Sequence, residues 1–185
     1  GGLGIMSSKR MNIALLTRWL WRIANRDGGL WLRIIQQKYL RGQPLAFCQR
    51  SGGSQFWQSV IQLLPVLRIG TSIEVGSGTA TLFWLDRWCG PLSFASRFQV
   101  LVNICADKCL PVALALSNLT HIAFRRTYGP GELNMWEDLV ACIALHSPSE
   151  EEDVVHWHLE PSGRFIAKSL YHAIMPTPGP IELNL

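Results

Sequence analysis

Acidic side chains are nearly missing from the front of this chain. Asp27 is the only one in residues 1–50, against nine Lys and Arg, a balance of +8. Residues 51–130 carry +3 and residues 131–185 carry −7. Such asymmetry predicts a front that faces nucleic acid and a back that faces solvent or a partner. Charge of either sign is also scarce, at 16% of the 185 residues, where about 25% is usual. With 48% hydrophobic residues and eight Trp, the chain reads as one part of a larger assembly. Several indoles are expected at an interface or partly exposed, because each ring N–H needs a partner.

No apolar run approaches the roughly 20 residues that a membrane span requires; Val112 to Leu116 is typical of the longest. No basic segment leads into an apolar run with a small-residue cleavage site, so no secretion signal is expected. The chain starts at Gly1 rather than Met, which suggests an internal piece or a processed start. Five Cys form an odd set without a tight framework, pointing to reduced thiols in an intracellular setting. No repeat of fixed period is present.

What is there divides into segments. Residues 1–65 form a basic helical region, with helices over Met11–Asn25 and Leu30–Leu40 and a third that Ser54 caps and Pro65 helps end. Leu30, Trp31, Ile34, Ile35 and Tyr39 are the expected apolar face of the second, and Phe56, Trp57, Val60, Ile61 and Leu64 that of the third. Residues 66–90 read as a hairpin, Ser72–Val75 and Thr79–Trp84 around Gly76-Ser77-Gly78. Residues 91–149 are helical, broken by Pro91 and Pro111, with Leu133, Trp136, Leu139, Val140 and Ile143 on one face of the last helix. Residues 150–175 hold an acidic loop, a second hairpin turning at Pro161-Ser162-Gly163, and a short helix. Residues 176–185 are expected to be disordered. The expected class is α+β, mainly helical with two small β-hairpins.

Lys9, Arg10, Arg18, Arg22, Arg26, Arg33, Lys38 and Arg41 are the candidate nucleic-acid-binding residues. Arg18, Arg22 and Arg26 recur every four residues and would line one helix face, where cations neutralise successive phosphates and release counterions. Trp21 and Trp31 lie among them; they are read as core in preference to base-stacking platforms. The cluster Trp84, Asp86, Arg87 and Trp88 is read as structural, with Asp86 receiving a Trp N–H or pairing with a nearby Arg. Glu74 is the only near carboxylate that could join Asp86 in catalysis, and one such pair is a weak signal. Cys105, Cys109 and His121, or His156, His158 and Cys142, lack the paired short spacings of a four-ligand zinc site. No metal, no cofactor and no catalytic residue is assigned. Glu150 to Asp153 is read as a solvated loop, and Gly76-Ser77-Gly78 as a turn with no following helix to hold a phosphate.

Several segments in order resemble the plant-type non-LTR (LINE-like) retrotransposon reverse transcriptase polyprotein. They are Gly1-Gly2-Leu3-Gly4-Ile5, Met11 to Leu16, Trp19-Leu20-Trp21-Arg22, Leu30-Trp31, Lys38-Tyr39, Phe56-Trp57, Leu64-Pro65, Gly70 to Gly78, Phe83 to Gly90, Trp157, Ser162 to Phe165 and Lys168-Ser169-Leu170-Tyr171. The stretch near 92–120 and the tail match weakly, and Ala167 stands where the family usually has Val. The resemblance implies RNA-directed DNA polymerase as the parent activity, at a nicked chromosomal target. It implies that the polymerase aspartates lie upstream and the zinc-binding segment downstream, since no Tyr-x-Asp-Asp turn occurs here. The chain is thus expected to be a non-catalytic connector whose partners are RNA or DNA and the neighbouring domains, with no membrane partner and a nuclear location where functional. A purely structural packing piece, a decayed relic and a zinc module are the rival readings.

Overall fold

The computed structural model describes residues 7–48 and 53–175. It is mainly helical with one small antiparallel sheet, an α+β chain as the sequence indicates. Helix α1, Ser8–Ala24, buries Ala14, Thr17, Leu20 and Ile23 along one stripe. Thr17 is tolerated there because its hydroxyl donates to the Ile13 carbonyl (2.8 Å). The helix ends through Arg26, whose φ of 52° is left-handed. The Asp27 N–H reaches back to the Arg22 carbonyl (2.8 Å) and the Arg26 N–H to that of Ile23 (3.1 Å), a Schellman closure with Arg in the place Gly usually takes.

Helix α2, Leu30–Ile35, continues as a π turn, Gln36–Leu40. Its buried side is Leu32 and Leu40, while Leu30 (72% exposed) and Ile34 lie outside, so the predicted apolar face is rotated. Ser54 caps α3, Gln55–Ile61, by accepting from the Trp57 N–H (3.3 Å). Trp57, Val60, Ile61 and Leu64 are buried, but Phe56 is not. Pro65 does not close this helix. It sits in the first turn of α4, Leu64–Gly70, where its missing N–H costs nothing.

Neither predicted hairpin forms. Strand β1, Thr71–Glu74, pairs antiparallel with β2, Val154–Trp157, in the register Thr71↔Trp157 to Glu74↔Val154. Residues 79–84 instead make a single bridge, Leu82 to Pro111, and residues 164–166 lead into the last helix without a strand. Gly70 is required where α4 meets the sheet: a Cβ there would overlap the Trp157 ring. Between the strands come α5 (Phe94–Arg97), α6 (Gln99–Ile104), α7 (Val112–Ser117) and α8 (Pro130–Ile143), and α9 (Ala167–Ala173) follows β2. On α8, Leu139 and Ile143 are buried, Trp136 is half-buried and Leu133 is exposed.

Two hydrophobic cores result. One joins α1, α2, α3 and α4 to Trp157, Leu170 and Tyr171 from the far end of the chain. The Tyr171 hydroxyl also accepts the Ser7 N–H (2.9 Å), tying α9 to the start of α1. The other core centres on Phe83, Trp84, Trp88, Phe94, Leu101 and Leu139. Among the described residues, no helix is long and apolar enough to cross a membrane. The expected disorder of 176–185, the Gly1 to Ile5 motif and the middle of the Gly-rich loop before α3 lie outside the described residues.

Candidate nucleic-acid interface

The eight basic candidates do not form one row. Lys9, Arg18, Arg33, Lys38 and Arg41 are exposed, Arg10 is half-buried, and none has a carboxylate partner among the described residues. Arg22 turns inward: its Nε donates to the Asp27 carbonyl (3.2 Å), and its guanidinium lies 4.6 Å from the Trp31 ring centroid. Arg26 has left the helix, and its Nη1 reaches both Glu152 oxygens (2.7 Å). The α1 spacing thus brings Arg18 and Arg22 along one side but not Arg26. Arg41, like Arg26, occupies a left-handed position at a helix end, with φ of 50°.

Of the two indoles considered from sequence, Trp21 packs in the first core, 5.5 Å from Trp157 and stacked on Phe165 at 6.1 Å. Trp31 is half-buried, and its Nε1 lacks a hydrogen-bond partner among the described residues. The aromatics that face outward are Trp19 (39% exposed) and Phe56 (52% exposed). Trp19 stands edge-on to Trp31 (5.0 Å) and to Phe56 (6.2 Å). Sequence reasoning missed Phe56, although a signal existed. Trp57, Val60, Ile61 and Leu64 already complete an i, i+3, i+4, i+7 stripe, and Phe56 falls beside it.

The aromatic-acidic cluster around Asp86 is built as a knot. Asp86 is 6% exposed; it accepts from Arg68 Nε (2.7 Å) and from the Leu82 N–H (2.8 Å). Trp88 Nε1 donates to the Phe83 carbonyl (2.9 Å); Phe94 meets both Phe83 and Trp88 edge to face, and the Phe83 and Trp88 rings are tilted to each other. Arg87 presents its carbonyl to the Ile73 N–H (2.7 Å), fixing this segment beside β1, and its side chain contacts the His158 ring. Burial lowers the Arg87 pKa. Glu74 does not face Asp86; its carboxylate meets His156 Nε2 (3.1 Å) across the sheet.

Gly76-Ser77-Gly78 does hold an anion, and the anion is the chain's own. Asp153 Oδ1 accepts from the Gly76 N–H (3.0 Å) and the Gly78 N–H (2.7 Å). Its Oδ2 accepts from the Ala80 N–H (3.0 Å) and the Thr81 hydroxyl (2.7 Å). Successive backbone donors form such a concavity without a helix. Glu150, Glu151 and Glu152 are exposed, as a solvated loop requires, and Asp153 alone is drawn in to tie the end of the run down. A cleft of about 480 Å³ lies beside this loop, with Ile23, Leu40, Leu64, Arg68, Thr79 and Val155 among its walls. The charged groups at its edge are already matched within the chain.

Cys105 and His121 turn to separate partners. The Cys105 thiol donates to the Asp107 carbonyl (3.1 Å), and His121 Nδ1 lies 2.9 Å from the Leu114 carbonyl. Burial raises the Cys105 and Cys89 thiol pKa values, keeping both thiols protonated. Among the described residues, no three of His, Cys, Asp and Glu converge as a metal-holding group. His158 is held below the usual His pKa by burial and by the neighbouring Arg87 charge. A depressed His pKa means that the unfolded chain binds the proton more readily, so stability present above pH ~6.5 declines as pH falls through the window below it. Thermal unfolding at pH 7.5 and 5.5 should show a lower Tm at the acid value. His158→Gln should reduce that difference, and an unchanged difference would assign the acid sensitivity elsewhere.

No family model matches the chain, and no solved structure matches it. It is 34% identical over 92 residues to the "Putative ribonuclease H protein" of Arabidopsis thaliana, covering 48% of this chain and 15% of that protein. It is 32% identical over 89 residues to an uncharacterized mitochondrial protein of the same plant, covering 48% of this chain and 58% of that one. The chain thus spans less than two thirds of either relative. Over about half of its own length it is related to plant proteins, one of them named for ribonuclease H, in keeping with a retrotransposon-related protein.

Proposed function

We propose that this chain is a non-catalytic segment of a plant retrotransposon RNA-directed DNA polymerase polyprotein. In that setting it is the connector between the polymerase core and the zinc-binding segment, and it helps hold RNA or DNA through its basic N-terminal helices. The observation that carries this reading is a set of exposed cations on α1, α2 and the π turn that continues α2, including Lys9, Arg18, Arg33 and Lys38, with no carboxylate partner among the described residues. Surface cations that stabilise a fold usually have acids nearby, but residues 1–50 offer only Asp27, which Arg22 occupies. Unmatched cations spread over a helical surface suit a phosphate backbone. The plant relatives support the retrotransposon setting, and both extend beyond the matched segment.

Fluorescence anisotropy with labelled RNA and DNA across a salt series tests the reading. Affinity should fall steeply as salt rises. Arg18→Ala and Arg33→Ala should each weaken binding for all sequences and reduce the salt slope by about 1. Lys108→Ala, on an exposed site between α6 and α7, should change neither. No binding at low salt by a folded sample, or a slope indifferent to Arg18 and Arg33, overturns it. A second reading, an interdomain packing piece, draws on apolar side chains exposed elsewhere on the chain, such as Leu92, Leu114 and Leu145.

A further inference from the structure

We infer that the Trp19–Phe56 face of the basic front is a stacking platform for unpaired bases, so that the nucleic acid held here is single-stranded. This rests on the reading that the front binds nucleic acid, and it specifies which form.

Trp19 projects from α1 and Phe56 from α3, and both rings keep a large part of their surface open. Their perpendicular contact at 6.2 Å, with the Trp19–Trp31 contact at 5.0 Å, fixes the Trp19 ring between two neighbours. A ring held this way loses little freedom when a base stacks on it, which favours binding. Arg22 lies 5.9 Å from the Trp19 centroid, Arg18 precedes Trp19 in the helix, and Arg33 is exposed on α2. Asp27 is the only acid between residues 7 and 70, and it pairs with Arg22, so Arg18 and Arg33 are cations of this front without a carboxylate partner among the described residues.

That combination decides the occupant. Planar apolar faces take up base surface, and the surrounding guanidinium groups take up the phosphates that connect the bases. An apolar protein partner would match the rings but leave the cations unmatched. A duplex would match the cations but keep its base faces inside its own stack. A single strand satisfies both, without sequence preference, because every base has a π face.

The test is anisotropy on the full chain with a labelled single strand of about 20 nucleotides, long enough for more than one stacking site, and with its duplex. The expected result is a preference of about tenfold or more for the single strand. Trp19→Ala and Phe56→Leu should each lower single-strand affinity about tenfold, with duplex affinity and salt slope unchanged. Trp19→Phe keeps a ring and should retain most of the binding. Phe56→Leu keeps the apolar bulk at an exposed site, so its fold is preserved even where Trp19→Ala proves unstable. Salt-dependent binding that treats single strand and duplex alike, or that ignores Phe56→Leu, overturns the platform while leaving the phosphate-binding front in place. Absence of any binding at low salt removes both. Self-association lost in Phe56→Leu, with nucleic-acid binding untouched, would also overturn the platform and assign the face to a second copy.

Discussion

Asp86→Ala is expected to cost about 3–5 kcal/mol of stability, the range for removing one partner of a buried ion pair. The loss has two sources. Arg68, only partly exposed, keeps its charge without the carboxylate that neutralises it, and the Leu82 N–H loses its acceptor in a buried segment. For a chain of this size the fall in Tm should be about 6–20 °C. Asp86→Asn retains a side-chain oxygen for one of the two donors and should cost less. Arg68→Met removes the cation and leaves Asp86 its backbone donor. Combined with Asp86→Ala, it should recover part of the single-variant loss, since neither charge then remains unpaired. Urea unfolding of the two single variants and the double variant measures the coupling. Additive losses would mean that Arg68 and Asp86 contribute independently and that the knot rests on its aromatic contacts.

The helices were legible because their signals are local. Ser54 caps α3 and the stripe from Trp57 to Leu64 is buried, as the residue types and spacing require. Pro65 opens α4 instead of closing α3, a distinction the sequence does not carry because a proline between two short helices looks the same at either end. The strands were legible as strands near Ser72–Val75 and Val154–Leu159, but their pairing was not. Gly76-Ser77-Gly78 and Pro161-Ser162-Gly163 imitate hairpin turns, whereas Thr71–Glu74 finds its partner at Val154–Trp157. Period-two alternation marks an extended segment and carries no information about which distant segment completes it. The candidate interface was half legible. Composition located the basic front, but the ion pair of Arg26 with Glu152 and the exposure of Phe56 depend on contacts that charge counts cannot contain. Of the two roles the sequence leaves open for Asp86, receiving a Trp N–H or pairing with a nearby Arg, the structure shows the second, through Arg68, while the Trp88 N–H goes to the Phe83 carbonyl.

Asp153→Ala should be the other strongly destabilising change, at about 3 kcal/mol. Four donors lose their acceptor together, at roughly 1–3 kcal/mol each when left unsatisfied, less what water recovers because Asp153 is only half-buried. Asp153→Asn is nearly isosteric and should cost less. Its oxygen can keep the Gly76 and Gly78 N–H donors while the amide group takes the other side, where the Thr81 hydroxyl can turn to accept and the Ala80 N–H loses its acceptor. Thr81→Val removes one donor and should cost about 1 kcal/mol. Hydrogen exchange at Gly76, Gly78 and Ala80 gives the local measurement, with faster exchange expected at all three in Asp153→Ala and at Ala80 in Asp153→Asn. The same anchor holds the acidic loop where Glu152 engages Arg26, so releasing Asp153 should also free one cation at the edge of the basic front. A destabilised Asp153→Ala chain that keeps its fold should then bind nucleic acid slightly more tightly at low salt. Weaker binding in a folded variant would instead show that the anchored loop supports the interface.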